Sequence, residues 1–142
     1  MERQYSTLAH SGDPLEKLLG ELEREIMETM WVREAGSVRD ALRVLNGRRT
    51  PDRQLAYTTV MTVMSRLAEK GLLTRRLIGK AHEYEAAETR EAFLARASQD
   101  IARRMVTDFG EAAVAGFLSV LEDVAPDRLA KLRRQAQRRG QA

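Results

Sequence analysis

The chain has 142 residues, 24 Lys and Arg against 21 Asp and Glu, no cysteine and two histidines. That length suits a small module with a helical appendage, because aromatics are only 5% and the Leu, Val, Ala and Met that dominate its apolar residues pack helices better than they enclose a ligand. Disulfides, thiol nucleophiles and thiolate metal sites are excluded, His10 and His82 alone make no zinc cluster, and no nucleophile, base and orienting group occur together, so no catalytic residue, metal or other cofactor is expected.

Residues 1–16 lack periodicity and are expected to form a flexible N-terminal tail. No apolar region there reads as a signal peptide, and the longest uncharged runs, 54–65 and 112–121, are too short to span a bilayer, so a cytoplasmic protein without membrane insertion is expected. The first helix is predicted to open at Gly20, with Glu21 and Glu23 at the positive end of its dipole and Leu19, Leu22, Ile26, Met27, Met30 and Trp31 on one apolar face. Gly36 stops it. Ser37 and Asp40 then make a capping box for a second helix with Val38, Ala41, Leu42 and Leu45 inward, ended by Asn46-Gly47.

After a loop holding Pro51, a third helix is predicted over 55–70, since Val60, Val63, Met64 and Leu67 follow helical spacing and Gly71 can cap its end. Its outward face carries Thr58, Thr62, Ser65 and Glu69, flanked by Thr59, Met61 and Arg66. Threonine is a mediocre helix former, so this run points to short hydrogen-bonding side chains needed on that face. Residues 72–78 and 81–86 read as two strands about a Gly79-Lys80 turn, with Leu77 and Tyr84 as inward anchors. Three helices and a hairpin make a winged helix-turn-helix over 17–88, and the fold class is mostly α with a small β-hairpin wing.

Charge is placed unevenly along this module. Residues 43–80 hold nine Lys and Arg against two acids, a formal +7, while residues 1–42 hold five bases and nine acids. A basic, threonine-faced helix beside a basic hairpin is the footprint of a double-stranded DNA partner. The candidate DNA-binding residues are Arg53, Tyr57, Thr58, Thr59, Thr62 and Arg66 on or before the helix, and Arg75, Arg76 and Lys80 on the wing. Threonine hydroxyls can bond base edges and their methyls can touch thymine, whereas arginines reach phosphate or guanine. Strand alternation points Arg75 and Arg76 to opposite faces.

From Thr89 the pattern is helical again. Phe93, Ala97, Ile101 and Met105 recur at steps of four, followed by Phe109, Val114, Phe117, Leu118 and Leu121, and Pro126 opens a last short helix with Leu129 and Leu132. A winged helix already closes its own core, so an apolar face of this length needs a partner. A twofold homodimer is the economical one. The candidate dimerisation residues of this region, 89–138, are Phe93, Ile101, Met105, Phe109, Phe117, Leu118, Leu121, Leu129 and Leu132. The bases near the C-terminus read as dipole-compensating and solubilising.

Three segments also carry a family resemblance: Leu19-Gly-Glu-Leu-Glu-Arg-Glu-Ile-Met27, the run Leu55-Ala-Tyr-Thr-Thr-Val through Arg66-Leu-Ala-Glu-Lys-Gly-Leu-Leu73, and Ala81-His-Glu-Tyr-Glu85. The chain resembles the penicillinase-repressor and methicillin-resistance-repressor family of bacterial transcription regulators over residues 17–125. The resemblance implies a homodimeric repressor on a palindromic operator controlling β-lactamase or other antibiotic and cell-wall stress genes. It also implies relief when a membrane-bound antibiotic-sensor protease cleaves the repressor, by position near Asp100 and Ile101, although the family's Asn-Phe pair is not present here. Copper sensing through a cysteine-rich site, as in related repressors, is excluded by the lack of cysteine. Two other readings stay open on the residues alone: a winged-helix regulator released by a small molecule, and a protein-interaction module that never touches DNA.

Overall fold

The computed structural model describes residues 12–124 and 126–140, which divide into two compact units, Pro14–Ala97 and a second from Ser98 onward. In the first unit a single turn, α1 (Leu15–Leu18), precedes α2 (Glu21–Val32), α3 (Val38–Asn46), a 3₁₀ turn (Pro51–Arg53), α4 (Tyr57–Glu69), the antiparallel strands β1 (Leu73–Ile78) and β2 (Ala81–Ala86), and the start of α5 (Arg90–Phe109). The expected caps form: the Gly20 amide donates to Glu23 Oε1 at 3.1 Å, the Ser37 amide to Asp40 Oδ2 at 2.9 Å, and the Asp40 amide to Ser37 Oγ at 3.2 Å. Gly71, at φ +85°, ends α4 in a Schellman motif, with Leu72 N–H donating to the Leu67 carbonyl and Gly71 N–H to that of Ala68.

The core joins Ile26, Met27 and Met30 of α2, Val38, Ala41 and Leu45 of α3, Val60, Met64 and Leu67 of α4, and Leu72, Leu73 and Tyr84 of the wing. The helical members are spaced as the helix period requires, so the apolar stripes seen in the sequence converge on one centre. A third strand position is supplied by Gly36, which exchanges two backbone hydrogen bonds with Tyr84 at 2.8 and 2.9 Å. Gly36 therefore does not stop α2, which ends at Val32 with the extended Arg33 as its C-cap; it pairs with the wing instead. Asn46 closes the turn between α3 and α4, donating from Nδ2 to the Leu55 carbonyl and accepting the Leu55 amide at 2.7 Å.

The structure corrects several expectations. Leu15 is fully buried in the core, so the flexible tail expected over 1–16 cannot extend to that residue; residues 1–11 lie outside the described residues. The turn of α1 is too short to show a period. Helix α4 starts at Tyr57, two residues later than expected, because Leu55 is held by Asn46. Leu77 is not an inward anchor: it is 63% exposed, because its strand pair with His82 lies two steps beyond the Arg75–Tyr84 pair, past the edge of the core.

Phe93, expected on the dimerisation face, is instead 5% exposed in the winged-helix core, its ring 5.9 Å from that of Trp31. The Trp31 indole donates to the Glu88 carbonyl at 3.0 Å, and Leu94 and Ala97 pack on the same cluster. Burial of one such phenylalanine contributes about 1.5–3 kcal/mol, which explains why the first two turns of α5 belong to the winged helix and the division falls at 97/98 instead of 88/89.

In the second unit, α5 runs on to Phe109, Gly110 turns the chain at φ +64°, and α6 (Glu111–Val124) and α7 (Pro126–Gly140) follow, packed together. The last helix spans 15 residues and is longer than the short helix expected, since the Ala, Gln and Arg that follow Leu132 favour helix.

Candidate nucleic-acid interface

Tyr57, Thr58, Thr59, Met61, Thr62 and Arg66 are all exposed, because burial of Val60, Met64 and Leu67 fixes the rotation of α4. The stripe Thr58, Thr62, Ser65 lies along the outward side. Thr62 donates its hydroxyl hydrogen to the Thr58 carbonyl at 2.8 Å, so it presents its methyl and a lone pair to a partner. Among the described residues the hydroxyls of Thr58 and Thr59 have no protein partner and keep both donor and acceptor capacity. At its entrance α4 has Ala56 as N-cap with no side-chain cap and no acid in the first turn.

The wing meets this stripe. Arg75 Nη1 lies 3.4 Å from Ser65 Oγ, which brings the strand arginine onto the outward line of α4. Arg76 faces the other side of the hairpin, where it pairs with Glu83 at 3.7 Å. The turn itself has a positive φ at Gly79, +63°, and none at Lys80, the pattern of a type II′ hairpin, and leaves Lys80 exposed at the tip.

The fold sorts the nine bases of 43–80. Arg49 is tied to Glu25 and the Leu45 carbonyl, Lys70 to Glu23 at 2.9 Å, Arg76 to Glu83, and Arg43 loosely to Asp40 at 3.9 Å. Arg48, Arg53, Arg66, Arg75 and Lys80 form no ion pair within 4 Å among the described residues, Arg66 acting on Glu23 only at longer range, so their charge is available to a polyanion. Arg49 and Lys70, though within the basic stretch, brace α2 against its neighbours. Burial pushes the Glu23 carboxyl up, but the hydrogen bonds from Lys70 and Gly20 and the charges of Lys70 and Arg66 outweigh it and hold it below its ordinary value.

Sequence reasoning missed Arg39. It is exposed on α3, and its guanidinium carbon sits 5.6 Å from the centroid of the Tyr57 ring. Nothing in the local sequence signals this pairing, since the two residues come from separate helices and meet only across the turn.

Of the residues expected at the dimer contact, Ile101, Met105, Phe109, Phe117 and Leu118 are exposed, with Phe109 at 68% and Phe117 at 59%. Leu121 and Leu132 are half-buried, and the side chain of Leu129 lies outside the described residues. Met105, Phe109, Ala113, Gly116, Phe117 and Val120 line one open apolar groove. Asp100 is half-buried and Ile101 exposed on α5. Among the described residues, no group of His, Asp and Glu is placed to hold a metal ion, and no helix is long and apolar enough to cross a membrane.

A three-helix module whose third helix shows threonines and Arg66, beside a basic hairpin, defines a winged-helix DNA-binding regulator. The chain belongs to the penicillinase repressor family, whose model matches residues 19–138. It is 38% identical over 117 residues to the transcriptional regulator BlaI of Mycobacterium tuberculosis, covering 82% of this chain and 80% of that protein. Among solved structures, it is similar to the DNA-binding domain of the repressor BlaI in solution (TM-score 0.44, 19% identity, 51% of this chain and 83% of that one). It is also similar to Rv0081 of M. tuberculosis (TM-score 0.42, 22% identity, 68% and 97%).

Proposed function

We propose that this protein is a cytoplasmic, dimeric repressor that occupies a palindromic operator, with α4 in the major groove, the wing along the backbone and the helices from Ser98 onward as the dimer contact. The reading rests on the Arg75–Ser65 contact, which joins the wing to the outward threonine stripe, so that one docking pose can engage both. The exposed face from Ile101 to Val120 supports the dimer, since a monomer would leave Phe109, Phe117 and their neighbours in water.

Family membership supports control of β-lactamase or cell-wall stress genes, and relief by a membrane-bound antibiotic-sensor protease acting near Asp100 and Ile101. Footprinting tests the reading: the full chain should protect two inverted half-sites with centres about 34–36 Å apart, or a multiple of that. A chain ending at Ala97 keeps Phe93 and the whole core, and should fold as a monomer with much weaker binding. Full operator affinity in that shortened chain, with the intact protein sedimenting as a monomer, would overturn the dimer.

A further inference from the structure

The wing ends in two large apolar side chains that its own fold does not cover: Leu77 is 63% exposed and Ile78 53%. They occupy opposite faces of the strand, Leu77 on the Arg75 face and Ile78 on the Arg76 face, two residues and one residue before the Gly79 turn. The tip stands clear, since a Cβ built on Gly79 meets no atom within 4 Å. Cations surround it, with Arg75 and Lys80 in no ion pair among the described residues and the nearest strand acid, Glu83, already engaged by Arg76. A solvated hairpin tip would normally carry polar residues. Here the apolar pair sits at the end of a cationic strand whose base touches the outward stripe of α4 at Ser65.

We propose that Leu77 and Ile78 form an apolar wedge that enters the minor groove beside the half-site and partly unstacks a base step there, adding a sequence preference that α4 does not carry. The inference rests on the docking pose proposed above. Unstacking costs a few kcal/mol and least at pyrimidine–purine steps, so the wedge selects for a flexible step at the position it reaches while Arg75 and Lys80 hold the flanking phosphates. An anionic lipid surface would also meet cations and apolar groups, but DNA is favoured because the wing is attached to the stripe that faces the duplex.

The test uses the full chain and a duplex that it enriches from a random-sequence pool, with fluorophores at the two ends to report bending by energy transfer. The wild type should bend this duplex, and netropsin, which fills the minor groove, should compete with it. The Leu77→Ala, Ile78→Ala double variant should lose the bend and about tenfold in affinity, the size of one lost base-step contact, with its thermal unfolding unchanged. The conservative Leu77→Met, Ile78→Val double variant should restore both. An unchanged bend and affinity in the alanine variant would overturn the wedge while leaving DNA binding in place. So would an equal loss on random duplexes, or a loss confined to sedimentation with phosphatidylserine vesicles. Failure of the wild type to enrich or bind any duplex would overturn the wedge and the proposed function together.

Discussion

The guanidinium of Arg39 rests over the ring of Tyr57, 5.6 Å from its centroid, and so couples α3 to the first residue of α4. A cation held this way keeps its charge near the entrance of α4, and it forms no ion pair among the described residues. Arg39→Ala should weaken operator binding and lower the slope of log affinity against log salt by about one unit, as for one lost phosphate contact. Tyr57→Phe should preserve binding and Tyr57→Ala should not. In a double-mutant cycle Arg39 and Tyr57 should couple by about 0.5–1 kcal/mol, typical of an exposed cation–π pair, and additive losses would show that the stacking has no part in binding.

The two stripe threonines should behave differently. Thr58→Val removes a hydroxyl with no protein partner and should cost about 1–3 kcal/mol of discrimination between operator and random duplex. Thr62→Val keeps the methyl and removes a hydroxyl whose hydrogen is already spent on the Thr58 carbonyl, so most of the discrimination should survive. Equal losses at both positions, measured by competition with random DNA, would assign the base contact to the Thr62 oxygen as acceptor.

Arg75 and Arg76 are neighbours in sequence but not in role. Arg75→Ala should reduce affinity and the salt slope by about one unit, while Arg76→Ala, which loses a pairing with Glu83 on the far face, should change both less. A larger effect at Arg76 in salt-dependent titrations would place the other face of the wing against DNA.

Acid should loosen the winged helix through two carboxyls. The Ser37 amide holds the Asp40 carboxyl below its ordinary value against a smaller cost of burial, helped by the Ser37 hydroxyl and the charges of Arg33 and Arg43. Glu23 is lowered as well, burial being outweighed by Lys70, Gly20 and Arg66. Because both folded values are depressed, each group contributes stability that is fully present above its unfolded value, about 4 for such carboxyls, and that is lost as pH falls through the folded value. Denaturant midpoints should therefore drop below about pH 4, and Asp40→Asn with Glu23→Gln should lower the neutral-pH midpoint and flatten that acid limb. An unaltered limb would mean that other groups control it.

The local layers of this protein were legible because their signals are short-range. Gly20, Ser37 with Asp40, and Gly71 cap helices through residues at most five apart, and the apolar periods of α2, α3 and α4 follow from helix geometry, so element types and the threonine-faced stripe could be read directly. The excess of cations in 43–80 was also visible. What only the tertiary structure decided depends on residues far apart in sequence. Glu25 and Glu23 take Arg49 and Lys70 out of the free cationic set, Arg39 finds Tyr57 across a turn, and Gly36 pairs with Tyr84. Periodicity placed Phe93 on an apolar helical face but could not say which apolar surface would cover it; the Trp31 ring does. Alternation likewise could not reveal that the core ends before Leu77, because strand period gives the face of a side chain and not how far along the strand its cover extends.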